Sequence, residues 1–304
     1  MIEELKNLRQ QLLFSGRFDP PPFKNCVIAG MGGSGIAGRI FSEIYTKILV
    51  VCLSSYEIPE FVDSDTLFIG MSYSGNTEET ITAFREAERR GAQMAAVTSG
   101  GALEKMCNRT VRIPQGLQPR SALGYLFSPL ALSLMPGAAE DLLEASKLVA
   151  EIDSDNSWIK TMADSLVDSG RIPVMLGYPP FQSVAYRWQT QFNENSKLLS
   201  FNLNFPELDH NAIMALERSY SKDAFLFYLF GGSHGRIRNR VNFTLDLTST
   251  DTVDIPIKGD SIIARAFYLV HIGDYLSYYA ALRRKVEPTD VTTIEKLKGL
   301  LSKV

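Results

Sequence analysis

The sequence is poor in the residues that bind metals or form disulfides. Its 304 residues include only three cysteines and three histidines. Cys26, Cys52 and Cys107 form no CxxC pair and lack the histidine partners of a zinc site. The pattern indicates reduced thiols in the cytoplasm and gives no support for a bound metal.

The chain also lacks a long hydrophobic run and an excess of charge of either sign. Its apolar runs stop far short of the roughly 20 residues that span a bilayer. Residues 1–16 lack the apolar core of a cleavable signal. The 31 basic and 34 acidic residues leave a net charge of −3, which argues against nucleic acid or membrane as a partner bound through bulk charge. We therefore expect a protein that stays inside the cell.

What the chain does contain is a repeating strand-and-helix pattern. At roughly 100–200 residues per domain, its length predicts about two domains. In the first half, apolar runs end in Gly or Ser loops that lead into amphipathic segments, as in CVIAGMGGSGIAG and TLFIGMSYSGNTEET. This alternation predicts an α/β fold in which a parallel sheet is flanked by helices. Strands predicted at residues 172–176 and 224–230 give the second half the same outline. We place the domains at residues 1–152, with a leading helix, and 153–304, with C-terminal helices.

The glycine turn after the first strand indicates an anion site. Residues 30–35 match GxGxxG, the pattern of a dinucleotide site. The second strand, however, ends in serines where such a site needs an acidic residue for the ribose. Gly33 and Ser34 instead suit a single phosphate or a sugar oxygen, because the backbone can approach closely while the hydroxyl donates. A tight turn chosen only for packing is the alternative.

A second loop, SYSGNTEET, also joins a strand to a helix. Ser72, Ser74 and Thr77 offer hydroxyl donors around the positive end of that helix. A simple helix cap needs only one such hydroxyl. Several together favour a bound phosphate.

These motifs resemble those of a known family. The pair GMGGSGIAG and SYSGNTEET resembles the sugar isomerase (SIS) domain. The later stretches PRSALGY, QFNENSK and ELDHN resemble the archaeal-type bifunctional phosphoglucose/phosphomannose isomerases, which have two SIS domains. The five motifs run in order along essentially the whole chain. The resemblance implies two tandem SIS-type domains, no cofactor, a hexose 6-phosphate substrate, and a cytoplasmic homodimer with shared active sites that serves glycolysis and gluconeogenesis.

Within the resemblance, Glu194 of QFNENSK is the candidate base. Aldose–ketose isomerisation moves a proton from C2 to C1 of the sugar through a planar cis-enediol, and one carboxylate suffices for both steps. The flanking Asn193 and Asn195 can orient Glu194. Without the resemblance, Glu194 would be interpreted as a solvated carboxylate at a helix end.

Three further residues complete the predicted site. The resemblance assigns ring opening to His210, supplied by the neighbouring subunit, and an imidazole with a pKa of about 6.5 suits that step. Arg120 matches a cation that stabilises the enediolate. Lys298 matches a lysine near the substrate, although a solvated helix lysine is a nearly equal alternative. Arg187 and Lys197 are expected to support Glu194 or the fold.

Other functions fit parts of the sequence. A regulator could keep SIS domains for binding sugar phosphates without turnover, but Glu194 and His210 argue against it. Another SIS sugar-phosphate isomerase also remains open. The absent ribose-binding acid opposes a nicotinamide enzyme. An amidotransferase subunit is opposed by Ile2, which follows Met1 where an N-terminal cysteine nucleophile is required.

Overall fold

Two parallel sheets organise the molecule. The structure is a computed structural model, and it describes residues 1–218, 222–233, 235–249 and 251–301. The first half contains α1 (Ile2–Lys6), α2 (Leu8–Leu12), β1 (Asn25–Ala29), α3 (Gly32–Ile44), β2 (Leu49–Leu53), β3 (Thr66–Ser72), α4 (Glu78–Arg89), β4 (Gln93–Thr98), α5 (Gly101–Met106), β5 (Thr110–Arg112), a 3₁₀ turn (Pro119–Ala122), α6 (Leu123–Leu134) and α7 (Ala138–Ser154). The second half contains α8 (Ser157–Ser169), β6 (Ile172–Gly177), α9 (Gln182–Gln191), a π-helical turn (Phe192–Ser196), β7 (Phe201–Asn204), a 3₁₀ turn (Glu207–His210), α10 (Ala212–Arg218), a 3₁₀ turn (Lys222–Ala224), β8 (Phe225–Phe230), α11 (Gly235–Thr248), β9 (Thr252–Ile255), α12 (Ile262–Arg283) and α13 (Thr292–Leu301).

The first sheet has the strand order β2-β1-β3-β4-β5, and all its neighbours are parallel. Buried side chains of α3 and α6 cover one face, and those of α4 and α5 cover the other. Because the strand order reverses between β1 and β3, their carboxyl ends open a crevice where ligands bind in such folds. The predicted glycine turn and hydroxyl loop both lie at this crevice.

The second sheet has the order β7-β6-β8-β9 and is also parallel. Its two central strands, β6 and β8, are mostly buried and consist of nearly continuous apolar sequence, as expected for strands covered on both faces. The predicted α/β architecture with two parallel sheets is therefore confirmed. The predicted leading helix is two short helices, α1 and α2, that meet at Asn7.

The two halves share one hydrophobic core. The 22-residue helix α12 is buried along most of its length, and its Phe267 ring packs 4.9 Å from that of Phe127 on α6. The indole Nε1 of Trp188 on α9 donates to the Leu269 carbonyl at 2.9 Å. The boundary predicted after residue 152 falls in the last turn of α7, which ends at Ser154, and stays a prediction.

Helices α3 and α9 run side by side in opposite directions across the junction of the halves. Glu43, near the end of α3, accepts hydrogen bonds from the backbone N–H of Ser183, at the start of α9, at 2.9 and 3.1 Å. At the other end, Gly33 at the start of α3 lies against Arg120, which approaches Glu194 just after α9. The glycine turn of one half therefore faces the Glu194 turn of the other.

Candidate active site

The glycine turn after β1 allows two loops to approach each other closely. A Cβ at Gly33 would lie 2.8 Å from the Pro119 carbonyl oxygen and 2.9 Å from the Cα of Arg120. Ser34 Oγ accepts a hydrogen bond from the backbone N–H of Tyr73 at 3.2 Å. Glycine at position 33 therefore brings Arg120 to the crevice, and Ser34 links the first loop to the second.

The second loop gathers its hydroxyls as the sequence predicts. Ser72 Oγ lies 2.8 Å from Thr77 Oγ1 and 3.5 Å from Ser74 Oγ. Gly75, at φ 68°, turns the chain so that its N–H donates to Ser72 Oγ at 3.0 Å. These three hydroxyls stand at the N-terminus of α4, where the helix dipole favours an anion. The loop has the donors and the electrostatics of a phosphate site.

A cleft lies between α3 and α9, beside the glycine turn. From the first half it is lined by Met31, Gly32, Gly33, Gly35, Ile36, Arg39, Ser54 and Arg120, and from the second by Tyr186, Arg187, Thr190, Gln191 and Glu194. The Arg39 guanidinium carbon lies 5.5 Å from the centroid of the Tyr186 ring, so side chains of the two halves meet across the cleft. The cleft therefore holds the predicted base and the predicted cation together.

Glu194 sits in the π-helical turn that ends α9. Such turns carry one extra residue per turn and are frequent at functional sites. The Glu194 carboxylate Oε2 lies 3.5 Å from Arg120 Nη1, and the glutamate side chain is 32% exposed. A carboxylate at this position can reach a ligand in the cleft while a cation faces it.

Arg120 is held rigidly. Its Nε donates to Asn195 Oδ1 at 2.8 Å, and its Nη2 donates to the Pro288 carbonyl at 2.8 Å. Its Nη1 also donates to Gln118 Oε1 at 3.2 Å. Burial lowers the pKa of Arg120, while the nearby charge of Glu194 opposes that shift. The guanidinium is therefore a buried cation in a fixed position.

The asparagines beside Glu194 differ from the expectation that they orient it. Asn193 Oδ1 accepts from the Ser200 hydroxyl at 2.9 Å and from its backbone N–H at 3.1 Å. Asn195 bonds Arg120 and donates from Nδ2 to Ser277 Oγ at 3.0 Å. Asn195 thus positions the cation, because its amide stands between α12 and Arg120.

Lys197 follows the π-helical turn and stabilises it. Its backbone has the left-handed conformation, with φ 54°. Its Nζ donates to the Glu194 carbonyl at 2.6 Å and to those of Glu287 and Asp290 at 3.0 and 2.9 Å. Burial lowers the pKa of Lys197, with Arg120 as the next cause. Lys197 supports Glu194 through the main chain, which agrees with its expected role.

Behind the cleft, Arg187 and Asp274 form a buried ion pair. Arg187 Nη2 donates to Asp274 Oδ2 at 2.8 Å, and Nε donates to Oδ1 at 3.1 Å. Nη2 also donates to the Arg120 carbonyl at 3.1 Å. The pair ties α9 and α12 to the Arg120 turn, so Arg187 supports the site as expected.

His210 is not brought to the cleft by this chain. His210 ends the 3₁₀ turn that follows β7, is exposed, and is absent from the described lining of the cleft. Its neighbour Asp209 accepts from Arg240 and Thr244, which fixes the turn. The Lys298 side chain lies outside the described residues. The buried His271 is structural, since it lies in α12 and bonds Asp153 at 2.8 Å.

Several lining residues escaped the sequence reasoning. Tyr186, Thr190 and Gln191 precede Glu194 at helical spacing on α9, a signal that could have placed them on its face. Arg39 stands on α3 one turn beyond the glycine turn. Asp274, which does not line the cleft but holds Arg187, gave no signal either, because it lies inside an apolar helix far along the chain.

Neither metal ligands nor membrane helices are found in the described part of the chain. No three His, Cys, Asp or Glu side chains there gather in a way that could hold a metal ion. None of its helices is long and apolar enough to cross a bilayer.

The fold and the paired crevice loops are those of a protein built from two SIS domains. A model of the SIS domain matches residues 23–134, and one of the bacterial phospho-glucose isomerase C-terminal SIS domain matches residues 156–301. The C-terminal domain of glucosamine-fructose-6-phosphate aminotransferase from Francisella tularensis has the same fold. It aligns with a TM-score of 0.73 at 15% identity over 95% of both chains.

Curated relatives narrow the class to a family. The bifunctional phosphoglucose/phosphomannose isomerase of Thermoplasma acidophilum is 49% identical over 99% of this chain and 97% of its own length. That of Aquifex aeolicus is 36% identical over 94% of this chain and 92% of its own. The chain belongs to the bifunctional phosphoglucose/phosphomannose isomerase family.

Proposed function

We propose that this protein interconverts glucose 6-phosphate and mannose 6-phosphate with fructose 6-phosphate. The observation that carries the proposal is the cleft in which the Glu194 carboxylate lies 3.5 Å from the fixed Arg120 guanidinium. The hydroxyl loop that follows β3, the strand next to β1, has the donors of a phosphate site. The family membership supports the same reaction.

Glu194 is the base that takes the proton from C2 and returns it to C1. The intermediate is a planar cis-enediol, and the charge that develops on its oxygens faces Arg120. A fixed cation in a water-poor site can lower such a barrier by a few kcal/mol. Removing the C2 proton erases the configuration that separates glucose from mannose, so one intermediate can serve both aldoses.

The phosphate binds at the crevice of the first sheet. Gly33 and Ser34 present the first turn, while Ser72, Ser74 and Thr77 supply hydroxyls beside the N-terminus of α4. Ser34 Oγ accepts from Tyr73, which leaves its hydroxyl hydrogen able to donate. The sugar then extends from this loop toward Glu194.

The site is completed across a homodimer. Ring opening needs an acid–base group near neutrality, and the exposed His210 of a second copy would supply it. Large apolar side chains flank His210 along the chain and are exposed: Leu199 at 64%, Phe201 at 42% and Met214 at 56%. Burial of such side chains favours association. Lys298 would serve near the substrate, and the homodimer would work in the cytoplasm in glycolysis and gluconeogenesis.

A coupled assay tests the function. The protein is given glucose 6-phosphate or mannose 6-phosphate with EDTA and no added cofactor, and fructose 6-phosphate is measured. Formation from both aldoses is expected. Absence of turnover with tight sugar-phosphate binding would favour a non-catalytic SIS regulator, while turnover of other sugar phosphates alone would favour another isomerase of this fold.

A further inference from the structure

Two buried side chains in the cleft each keep one polar atom without a partner. Arg187 and Gln191 precede Glu194 on α9, line the cleft, and are each only 1% exposed. Among the described residues, neither Nη1 of Arg187 nor Oε1 of Gln191 has a hydrogen-bond partner. Buried polar atoms in folded proteins are nearly always bonded, so this pair of free atoms indicates a role.

Asp274 holds both side chains in place. Its Oδ1 accepts from Arg187 Nε at 3.1 Å and from Gln191 Nε2 at 2.9 Å. Because a carboxylate only accepts, the Gln191 amide must turn its nitrogen toward Asp274, and its oxygen is left over. The shared partner keeps the two side chains close, with a free donor on one and a free acceptor on the other.

A hydroxyl group matches this pair, because it accepts through its oxygen and donates its hydrogen. We propose that Arg187 and Gln191 form a hydroxyl-binding subsite for the hexose phosphate. Nη1 of Arg187 donates to one hydroxyl on C3 or C4, and that hydroxyl donates to Oε1 of Gln191. The subsite is already ordered before the substrate arrives, since Asp274 fixes both partners.

The choice of C3 or C4 rests on the proposed function, which places C1 and C2 at Glu194. Gln191 ends α9 three residues before Glu194, so the two side chains lie within about one helical turn of each other. The hydroxyls on C3 and C4 are the next ones along the sugar after the reacting carbons. They are also present in all three substrates with the same configuration, so one subsite serves every sugar in the reaction.

The experiment compares Gln191→Met with the parent enzyme on glucose 6-phosphate and on its 3-deoxy and 4-deoxy analogues. The parent should lose roughly ten- to hundred-fold in kcat/KM on one of the two analogues, since a buried polar pair loses its partner. Gln191→Met, which keeps the volume but no amide, should lose a similar factor on glucose 6-phosphate. On the deoxy analogue that the parent uses poorly, the kcat/KM of Gln191→Met should match that of the parent within about two-fold.

Two results would overturn the subsite. One is a parent enzyme that treats both analogues like glucose 6-phosphate. The other is a variant that loses the same factor on all three sugars, which is the signature of a structural role. Gln189→Met is the matched control, because Gln189 lies on the same helix outside the cleft lining, and it should behave like the parent. If Gln191→Met does not fold, Gln191→Asn keeps the amide, withdraws it by one carbon, and carries the same comparison.

Failure of the subsite can be told apart from failure of the proposed function. Binding of each sugar phosphate is measured in parallel as a rise in Tm, which requires no turnover. A parent protein that gains Tm with glucose 6-phosphate but forms no fructose 6-phosphate refutes the isomerase. The deoxy analogues then test the subsite through Tm alone, where an equal rise with all three sugars in the parent refutes it.

Discussion

The two halves of the molecule share the strand order of a four-stranded parallel sheet, to which the first half adds β5, but they use it differently. In the first, the loops after β1 and β3 carry Ser34 and the hydroxyls of Ser72, Ser74 and Thr77 at the reversal of strand order. In the second, the equivalent loops after β6 and β8 close on each other, because the Tyr178 hydroxyl donates to the Gly231 carbonyl.

The second half instead contributes through the end of a helix. Its candidate base, Glu194, lies in the π-helical turn after α9, and buried groups of α12 hold its surroundings. The comparison teaches that a repeated sheet can supply a phosphate anchor in one copy and the base in the other. Loss of the first-half hydroxyls should therefore weaken binding, whereas loss of Glu194 should stop the reaction and loss of Asp274 should loosen the fold.

The largest effect is expected at Glu194. Glu194→Gln keeps the shape of the side chain but removes the base, so kcat should fall roughly 10³- to 10⁴-fold while KM changes little. Steady-state rates with both aldoses measure this. Glu60→Gln, at an exposed loop position, should behave like the parent. A Glu194→Gln enzyme within a few-fold of the parent would end the assignment.

The next effect is on stability. Asp274→Ala leaves the Arg187 guanidinium buried and unpaired, which should lower the free energy of unfolding by about 3–5 kcal/mol. The matched pair Arg283–Asp168 has the same 2.8 Å separation, but both side chains are about half exposed. Asp168→Ala should therefore cost less than about 1 kcal/mol. Urea denaturation compares the two, and equal losses would contradict a buried framework behind the cleft.

Binding should suffer most from changes to the first-half loop. The double variant Ser74→Ala, Thr77→Val removes two donors to the phosphate, and KM should rise roughly ten- to hundred-fold. Since these groups bind ground and transition states alike, kcat should stay within a few-fold of the parent. Ser64→Ala removes an exposed hydroxyl elsewhere and serves as the control. A loss confined to kcat would place the loop at the reacting carbons instead.

The smallest effect concerns the link between the halves. Burial raises the pKa of Glu43, although its bonds to Ser183 oppose the shift. The folded protein therefore binds this proton more tightly than the unfolded chain, whose carboxyl has a pKa near 4.5. We compare the free energy of unfolding of the parent with that of Glu43→Gln. The difference should favour the parent most below pH 4.5 and should shrink as pH rises through the pKa of Glu43 in the folded protein.

Unfolding by urea between pH 4 and pH 8 measures this difference. Glu43→Ala, which cannot accept from the start of α9, should cost about 1 kcal/mol, as lost helix caps do. A difference between parent and Glu43→Gln that is flat with pH, or grows in favour of the parent, would contradict the burial of Glu43.

The sequence could predict what is local. Apolar runs followed by Gly or Ser loops predicted the strands, because strands that are buried on both faces need continuous apolar sequence. The hydroxyls of Ser72, Ser74 and Thr77 could be placed together because they lie within one turn. Glu194 and Arg120 came from the family resemblance, and the cleft brings these two together.

The rest depends on contacts that sequence spacing does not encode. Asp274 reaches Arg187 across 87 residues, and its position in an apolar helix suggests no partner. Asn195 was expected at Glu194, but the extra residue of the π-helical turn directs it to Arg120. His210 is exposed in the turn after the edge strand β7, and its proposed use by a second copy depends on a contact between chains that local sequence does not encode.

The central claim is that the Glu194 carboxylate carries a proton between C2 and C1. The most direct test is isomerisation in D₂O, followed by NMR of the sugars. The account predicts that deuterium enters C2 of glucose 6-phosphate and mannose 6-phosphate and C1 of fructose 6-phosphate, and that Glu194→Gln abolishes this exchange. Isomerisation or deuterium exchange that survives undiminished in Glu194→Gln would contradict it.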